Sequence, residues 1–359
     1  MGRIRVVITR RGHLDVRDGI NIFIFALANE LRRTGNDVAV VATTAGDHGR
    51  LKHLFDMEDL PVLQAVERGP PRVTAKGLSL GWLTRGRALI DEFQPDLVIN
   101  NGVLPFKPRG TSLGLSHDMG WRTSQQRFGA VRRLYKRYGY GRCDKVVAMC
   151  SEVRLALSRE LSIELDSIHL MPPAVDVPDP PAGSAANRED AILHAGTADY
   201  KNPAATVRAF GLLGQGSTRL YLEGPANATV EREVMELPVG ARRRVELLGE
   251  LGAVDLRRLH RSVRVASFPT RYTVPTASAT VVEAIAERTP LVGSTLISED
   301  VLVDNANGLV ARDDAARAKA FRALLADDEL WARLSRGAAC LAPSFAVERA
   351  ARQFLALSS

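Results

Sequence analysis

Short apolar runs alternate with helical patterns along the chain, and this alternation constrains the fold more than any other feature. The first run is Ile4–Thr9, and apolar residues then recur at helical spacing between Ile20 and Leu31. The runs are mainly apolar and lack a strict alternation with polar residues, which is typical of strands buried on both faces. Such strands, interleaved with helices, predict doubly wound parallel sheets of the α/β class.

A proline-rich stretch interrupts this alternation once and is the best candidate for a domain boundary. Residues 172–184 contain five prolines, a glycine and a serine, and the strand and helix patterns resume at residue 191. At about 100–200 residues per domain, 359 residues make two domains that can each bury a core. We therefore expect two tandem Rossmann-like domains, residues 1–177 and 178–345, followed by a helix within residues 346–359.

The bounds of the individual elements follow from the apolar runs and the turn residues between them. In the first half, further strands are predicted at residues 38–43, 96–101, 112–118, 145–151 and 167–171. In the second half, strands are predicted at residues 191–195, 219–223, 245–248, 263–268 and 290–294. Helices are predicted there at residues 203–213, 277–287 and 315–342.

Composition excludes several classes of protein. With 45% hydrophobic and 25% charged residues, the chain differs from disordered, collagen-like and coiled-coil proteins. No run approaches the roughly 18 apolar residues of a membrane span, and the first run suits a strand better than a signal peptide. Three cysteines without a CxxC pair make neither a disulfide framework nor a cysteine metal site, so we expect a reduced, cytoplasmic protein.

The excess positive charge is concentrated in the first half of the chain. Residues 1–177 hold 26 Lys and Arg against 19 Asp and Glu, whereas residues 178–359 hold 22 of each kind. This asymmetry indicates a first half that meets an anionic partner. A basic solubilising surface would give the same numbers, so charge alone leaves both interpretations open.

Two motifs of the first half lie where parallel α/β sheets bind ligands, beyond the carboxyl ends of strands. Asp18-Gly19 follows the first strand and opens a helix, whose N–H groups and dipole favour a diphosphate. One glycine at a helix start also serves as an ordinary turn, and the GxGxxG pattern of nicotinamide-binding proteins is absent. His117-Asp118 ends a predicted strand as a candidate acid/base pair, although a lone histidine is also common as a structural residue.

The segment 121–145 combines basic and aromatic residues and contains one acid, Asp144. Its aromatic residues are Trp121, Phe128, Tyr135, Tyr138 and Tyr140. Its basic residues are Arg122, Arg127, Arg132, Arg133, Lys136, Arg137, Arg142 and Lys145. This pattern suits phosphate groups together with base stacking or anchoring at a membrane interface. A helix with a solvated basic face explains the same residues without a ligand.

Two motifs of the second half point to a phosphorylated ligand. Gly196-Thr197 follows a predicted strand, and Lys201 stands at the start of the next helix, so a turn and a cation can together hold a diphosphate. Glu283 lies in an otherwise apolar helix, where a buried acid is costly without hydrogen-bonded partners. The two hydroxyls of a ribose would supply such partners.

Taken in order, these segments resemble those of the GT-B glycosyltransferases, specifically the large retaining family 4. Residues 19–41 are similar to the family's opening helix and strand, and residues 171–176 (MPPAVD) resemble its iPNGVD interdomain signature. Residues 193–203, 282–292 and 304–310 are similar to its vG…KN, LEAMA.GTPVV and d..nGllv segments. The resemblance covers nearly the whole chain. No single segment is specific to the family, but the complete set in this order is.

The resemblance implies a GT-B fold, with two Rossmann-like domains, a cleft between them and a last helix that packs back on the first domain. It implies that Glu283 binds the ribose hydroxyls of a nucleotide sugar and that Lys201 binds its diphosphate. The turn at Asp18-Gly19 would approach the diphosphate, and His117-Asp118 would stand beside the reacting anomeric carbon. Retention of configuration without a metal or other cofactor is implied as well, and the sequence has no DxD motif. Catalysis would then rest on charge neutralisation at the leaving group and on positioning.

Three positions depart from the family pattern. Pro275 stands eight residues before Glu283, where the family has a second acid, and this leaves the transferred sugar open. Thr197 replaces the arginine that follows the family's glycine, and Arg271 is a candidate for the missing charge. Asp18 stands where the family often has another glycine. The predicted donor site is therefore Asp18, Gly19, Gly196, Thr197, Lys201, Arg271, Ser278 and Glu283.

The sequence thus predicts a glycosyltransferase that moves a hexosyl or pentosyl unit from a nucleotide sugar to an acceptor held by the basic first domain. We expect an anionic acceptor, either a phospholipid or polyprenyl carrier reached peripherally at the inner membrane or a modified base in DNA. The predicted acceptor contacts are Trp121, Arg122, Arg132, Arg133, Lys136 and Arg137. A natural-product acceptor, a GT-B epimerase and a non-catalytic sugar-nucleotide-binding protein are the alternatives.

Overall fold

The computed structural model of the protein describes residues 2–57, 59, 61–66, 81–117, 119, 129–178, 187–271 and 279–358, with Gly129 and Arg132 described by their backbone. The chain divides into two compact units. Unit 1 comprises Met1–Ala174 and Val347–Ser359, and unit 2 comprises Val175–Ala346. The division falls inside the proline-rich stretch, three residues before the predicted boundary, and residues 179–186 of that stretch lie outside the described part.

Unit 1 is built on a parallel sheet of seven strands. They are β1 (Arg5–His13), β2 (Asp37–Thr44), β3 (Val62–Ala65), β4 (Leu97–Asn101), β5 (Thr111–Ser116), β6 (Lys145–Ala148) and β7 (Ile168–Leu170). Their order in the sheet is β3-β2-β1-β4-β5-β6-β7, and every neighbouring pair is parallel. The first helices of the chain are α1 (Gly19–Arg33), α2 (His48–Phe55), α3 (Arg87–Phe93), α4 (Gly129–Tyr140) and α5 (Ser151–Leu161).

Adjacent residues of β1 are buried on opposite faces of this sheet. Val6 and Ile8 belong to the core on the α1 side, whereas Val7 packs on the other side with Trp82 and Ile90. The side chains of all three β1 residues are fully inaccessible to solvent. Helices therefore cover both faces of the strand, which confirms the prediction of doubly wound, parallel α/β structure.

Unit 2 contains a second parallel sheet, of six strands. They are β8 (Glu189–Ala195), β9 (Arg219–Glu223), β10 (Val245–Gly249), β11 (Val263–Phe268), β12 (Leu291–Gly293) and β13 (Gly308–Val310). Their order is β10-β9-β8-β11-β12-β13, again with parallel neighbours. The helices are α6 (Pro203–Gly211), α7 (Ala228–Glu236), α8 (Val239–Arg242), α9 (Ala253–Ser262), α10 (Ala279–Ala286), α11 (Asp314–Ala326) and α12 (Asp328–Leu341).

The last helix of the chain belongs to unit 1, although it follows unit 2 in sequence. This helix, α13, spans Val347–Ala356. The ring of its Phe354 lies 6.0 Å from the ring of Phe23 on α1, measured between centroids. Both rings are buried in the core on the α1 side of the sheet, so α13 contributes to the packing of the chain's first helix.

Three of the predicted elements are wrong in extent. The strand predicted at Ile4–Thr9 continues to His13. The single helix predicted over residues 315–342 is broken at Asp327, whose backbone is extended (φ −112°, ψ 100°). The Asp327 carboxylate accepts a 2.9 Å hydrogen bond from Leu330 N as the N-cap of α12. The strand predicted at residues 145–151 ends at Ala148, because Cys150 caps α5. Strands β3 and β13, of four and three residues, are too short for a periodic pattern and are absent from the prediction.

Candidate functional site

A glycine turn follows the central strand β8 of unit 2. Gly196 has a φ of +92°, and a Cβ added to it would lie 2.3 Å from the Nζ of Lys201. A side chain at this position would therefore meet both backbone strain and the ammonium group. The turn lies at the carboxyl end of β8, where parallel α/β sheets bind their ligands.

Lys201 places its ammonium against this turn. A 3₁₀ turn, Asp199–Lys201, precedes Asn202, which caps α6 in the left-handed conformation. The Nζ of Lys201 donates to the carbonyl oxygen of Ala195 at 3.2 Å and lies 3.5 Å from the Oγ1 of Thr280. A positive charge thus stands beside the N-terminus of α6, whose dipole also favours an anion.

Thr280 lies on the same helix as Glu283, the residue predicted to bind ribose. The two residues are three positions apart on α10, so their side chains leave the same face of the helix. Glu283 is 6% exposed, and its immediate neighbours on α10 are buried apolar residues. Through its contact with Thr280, Lys201 therefore lies near the helix face that carries Glu283.

Thr197 stabilises the turn through hydrogen bonds with residues that follow β9. Its hydroxyl donates to the carbonyl oxygen of Pro225, and its own carbonyl oxygen accepts from the Nδ2 of Asn227 at 2.7 Å. The N–H of Gly196 donates to the carbonyl oxygen of Glu223 at 2.8 Å. The threonine that stands in place of the family's arginine is thus buried and engaged with the protein itself.

Arg271 lies next to the turn that carries Lys201. Its backbone N–H donates to the carbonyl oxygen of Tyr200 at 2.9 Å, and its side chain is exposed. The predicted donor residue Ser278, and Pro275 with it, lie outside the described residues.

In unit 1, His117 is held at the carboxyl end of β5. Its Nε2 lies 2.7 Å from the Oδ1 of Asn101, whose Nδ2 donates to the carbonyl oxygen of Thr9 at 2.9 Å. The imidazole also meets the Phe23 ring edge-on, with the centroids 5.6 Å apart. The ring is therefore oriented by β4 and α1, while Asp118 lies outside the described residues.

Asp18 caps α1 and ties that helix to β1. One carboxylate oxygen accepts from the N–H of Asn21 at 2.8 Å, and the other lies 2.5 Å from the guanidinium of Arg10. The Nε of Arg10 also donates to the Oδ1 of Asn21 at 3.0 Å. These contacts explain why an aspartate stands beside Gly19. They also add Arg10 to the candidate site. Arg10 was not among the predicted site residues, although Arg10-Arg11 directly follows the first apolar run.

Arg11 places a second cation near the same strand end. Its Nη1 donates to the carbonyl oxygen of Val103 at 3.1 Å and to the Tyr135 hydroxyl, and the guanidinium lies 5.5 Å from the Tyr135 ring centre. Tyr135 belongs to α4, so this arginine connects β1 to the basic helix. The carboxyl edge of unit 1 is therefore rich in cationic groups.

The exposed face of α4 mixes large apolar and basic residues. Val131, Leu134 and Tyr138 are 58%, 69% and 52% exposed, and they follow one another at helical spacing. Arg133 and Arg137 are exposed beside them, whereas Lys136 is half-buried and its Nζ lies 5.7 Å from the centre of the Tyr140 ring. The predicted contacts Trp121 and Arg122 lie outside the described residues, and Arg132 is described by its backbone.

Comparison with known proteins finds similarities to glycosyltransferases. Residues 17–178 match the family model described as Glycosyltransferase Family 4. Over these residues the chain is similar to that family, and its fold is that of the GT-B glycosyltransferases. The D-inositol 3-phosphate glycosyltransferase of Xylanimonas cellulosilytica is 30% identical over 235 residues, which cover 59% of this chain. The chain spans 56% of that relative's length.

Solved structures share the fold over nearly the full length of the chain. A sucrose-phosphate synthase from Thermosynechococcus elongatus has a TM-score of 0.79 at 19% identity, with 99% of this chain and 98% of that one covered. The Anabaena protein HepE, in complex with UDP and glucose, has a TM-score of 0.73 at 16% identity, with 99% of each chain covered. Within the described residues, no helix has the length and apolar character needed to cross a membrane.

Proposed function

We propose that the protein is a retaining glycosyltransferase, whose unit 2 binds a nucleoside diphosphate sugar and whose unit 1 binds the acceptor. The observation that carries the proposal is the position of Lys201, which lies at the Gly196 turn and 3.5 Å from Thr280, three residues before Glu283 on α10. A cation and a buried carboxylate at one strand end match the two polar parts of such a donor, its diphosphate and its ribose.

In this proposal, each group of the donor site has one chemical task. The ammonium of Lys201 and the N-terminus of α6 hold the diphosphate, because both favour negative charge. The carboxylate of Glu283 accepts hydrogen bonds from the two ribose hydroxyls, because a carboxylate offers two acceptor oxygens. The relative crystallised with UDP and glucose supports a donor of this class.

The proposed reaction breaks the bond between the anomeric carbon and the diphosphate oxygen. The electron pair leaves with the nucleoside diphosphate, and Lys201 stabilises the negative charge that develops there. The acceptor hydroxyl adds to the same face of the sugar, and its proton passes to the departing phosphate oxygen, so configuration is retained without a protein nucleophile. We propose that this chain needs no metal ion, and unchanged turnover in EDTA would support that.

Unit 1 supports an acceptor that carries negative charge. Arg10 and Arg11 lie at the carboxyl end of β1, and His117 lies at the end of β5 in the same sheet. The name of the Xylanimonas relative specifies a phosphorylated polyol, inositol 3-phosphate. We infer an acceptor with a phosphate group, presented with its hydroxyl toward His117.

The exposed face of α4 favours a lipid surface over DNA as the place where that acceptor is met. Leu134 lies between the arginines 133 and 137 and is the most exposed large apolar residue of the helix. An apolar stripe between cations suits the interface of an anionic bilayer, where the apolar groups leave water. On DNA the same apolar side chains would face phosphates or solvent, so they would contribute nothing to binding.

Product analysis of the donor tests the proposed reaction. The purified protein is incubated with a panel of nucleotide sugars, with and without a mixture of phosphorylated polyols and lipid phosphates, and the products are read by NMR. A transferase releases the nucleoside diphosphate only when an acceptor is present, and the new bond keeps the donor's anomeric configuration. Change of the donor alone would show an epimerase, and no change would show a binding protein.

Vesicle flotation tests the lipid acceptor surface. Vesicles with about 30 mol% phosphatidylglycerol, which gives an anionic surface, are compared with vesicles that contain none, at graded salt and beside a DNA gel-shift assay. We expect binding to the anionic vesicles that is lost in Leu134→Glu and in the double variant Arg133→Glu/Arg137→Glu. Val239→Glu, at a 61% exposed apolar residue of unit 2, is the matched control. Binding to DNA alone would favour a modified base as acceptor, and binding to neither would favour a small natural product.

A further inference from the structure

His194 lies directly beneath the glycine turn, and the proposed reaction gives it no task. It is the penultimate residue of β8, two positions before Gly196, and its side chain is completely inaccessible to solvent. A histidine in the core of a central strand is unusual, because an imidazole needs hydrogen-bond partners once it leaves water. The partners of this imidazole connect it to the donor turn.

Both ring nitrogens of His194 have a partner at hydrogen-bond distance. Nε2 lies 3.1 Å from the carbonyl oxygen of Gly196, and Nδ1 lies 2.9 Å from the Oγ1 of Thr206. Thr206 Oγ1 lies in turn 2.8 Å from the Oγ of Ser267 on β11. These contacts form a chain from the neighbouring strand to the turn.

The chemistry of these partners determines the tautomer of the ring. A carbonyl oxygen accepts and never donates, so a hydrogen bond to the Gly196 oxygen requires the hydrogen on Nε2, and we assign this tautomer to the neutral ring. Nδ1 then accepts from the Thr206 hydroxyl, and the Thr206 oxygen accepts from Ser267. The pKa of His194 is lowered to about 3 by its burial and by the nearby ammonium of Lys201, so the ring is neutral at physiological pH.

The side chains of Lys201 and His194 therefore form hydrogen bonds with two consecutive backbone carbonyl groups. Lys201 Nζ donates to the Ala195 oxygen, and His194 Nε2 donates to the Gly196 oxygen. In a trans peptide the C=O and the next N–H point in opposite directions. With the Gly196 oxygen turned toward the imidazole, the N–H of Thr197 is turned to the other side of that peptide.

We propose that His194 is a positioning residue for the donor diphosphate. Its neutral imidazole fixes the Gly196–Thr197 peptide so that the Thr197 N–H is presented to a phosphate oxygen beside Lys201. A neutral ring is needed because an imidazolium would repel that ammonium. This role rests on the proposed donor site. It predicts that diphosphate affinity depends on the Nε2 side of the imidazole.

Two substitutions separate the two halves of the ring. In His194→Gln the side-chain amide nitrogen can take the place of Nε2, whereas in His194→Asn the amide oxygen can take the place of Nδ1 alone. Affinity for uridine, guanosine, adenosine and thymidine diphosphates is measured by calorimetry for each. We expect His194→Gln to stay within about threefold of wild type and His194→Asn to bind about tenfold more weakly, the effect of one lost hydrogen bond.

A matched variant controls for simple loss of stability. Ser335 on α12 is 8% exposed and donates one hydrogen bond, to the carbonyl oxygen of Arg288 at 2.8 Å. Ser335→Ala removes a buried hydrogen bond of unit 2 without touching the turn, so it should lower the melting temperature and leave diphosphate affinity unchanged. Equal affinities in His194→Asn and His194→Gln would overturn the positioning role.

The tautomer gives a second readout that needs no ligand. In protein labelled with ¹⁵N-histidine, the His194 signals, assigned through their loss in His194→Gln, should show hydrogen on Nε2 and no titration between pH 5 and 9. Hydrogen on Nδ1 would overturn the role even if diphosphates bind. If wild type binds none of the four diphosphates, the proposed donor site fails and the positioning role fails with it.

Discussion

The Nζ of Lys201 lies 3.5 Å from the Oγ1 of Thr280, one helical turn before Glu283. The lysine comes from the loop after β8 and the glutamate from α10, and 81 residues of sequence lie between Lys201 and Glu283. Their meeting depends on the pairing of β8 with β11, the strand that precedes α10. Donor binding in this account is therefore a property of the folded sheet of unit 2.

Two buried glutamates near the end of α10 should respond differently to mutation. Glu287 is fully buried and bonded to Arg261 at 2.9 Å, so Glu287→Gln should destabilise the protein by about 1–3 kcal/mol. Glu283→Gln should change stability by less than about 1 kcal/mol, because a ligand-binding carboxylate is kept at a cost to the fold. Urea unfolding of the two variants measures both. Equal destabilisation would make Glu283 a structural residue.

Loss of the Lys201 charge should act on the chemical step. Lys201→Met keeps most of the side-chain volume and removes the ammonium that neutralises the leaving group, so kcat should fall about 10²–10³-fold. Steady-state rates at saturating donor measure this, with the exposed Lys319→Met of α11 as control. A variant with unchanged kcat and a higher KM would show that Lys201 binds the donor without assisting catalysis.

His117 should matter for turnover and be unimportant for nucleotide binding. His117→Ala removes the imidazole that Asn101 and Phe23 orient in unit 1, and we expect kcat to fall about 10²-fold. Diphosphate affinity, which this account assigns to unit 2, should stay the same. His169→Ala, on β7 at the edge of the same sheet, is the control. Full activity in His117→Ala would remove it from the proposed mechanism.

Stability should fall in acid because of His194. Its pKa is lowered to about 3 in the folded protein, against roughly 6.5 in the unfolded chain. Below pH 6.5 the unfolded chain thus binds a proton that the folded protein does not, and stability declines toward pH 3 by up to about 1.4 kcal/mol per pH unit. Urea unfolding at pH 7.5 and 5.0 should show a smaller decline in His194→Gln than in wild type. The exposed His53→Gln should keep the full decline, and identical declines in all three proteins would refute the assignment.

The last helix should stabilise unit 1 specifically. Phe354 is fully buried against Phe23, so Phe354→Ala should cost about 3–5 kcal/mol. Hydrogen exchange should then accelerate in β1 and α1 while β8 and β9 keep their protection. Phe321→Ala, at an equally buried ring in the core of unit 2, should give the reverse pattern. Acceleration in both units from Phe354→Ala would contradict this assignment.

Local pattern was sufficient for much of the fold. The continuous apolar run at Val6–Ile8 predicted a strand covered on both faces, because no polar residue interrupts it. The burial of Glu283 also followed from its apolar neighbours in sequence. The break at Asp327 was missed, because an aspartate that caps a helix and an aspartate on its exposed face look alike in a helical pattern.

Contacts between distant residues account for most of what was missed at the candidate site. The carbonyl that His194 holds is two residues away, but the hydroxyl chain that fixes its tautomer ends at Ser267 on another strand. Arg10 and Asp18 meet because β1 and α1 are adjacent in space, and the sequence does not show that pairing. Such partners depend on the packing of strands and helices, which a periodic pattern does not specify.

Thermal stabilisation by nucleotides tests the central claim, that unit 2 binds a nucleoside diphosphate sugar through Glu283. Wild type and Glu283→Ala are melted with a panel of nucleoside diphosphates and nucleotide sugars, since a ligand of the folded state raises the melting temperature by mass action. This account predicts one class of nucleotide that stabilises wild type and has no effect on Glu283→Ala. Stabilisation by no nucleotide, or equal stabilisation of both proteins, would contradict it.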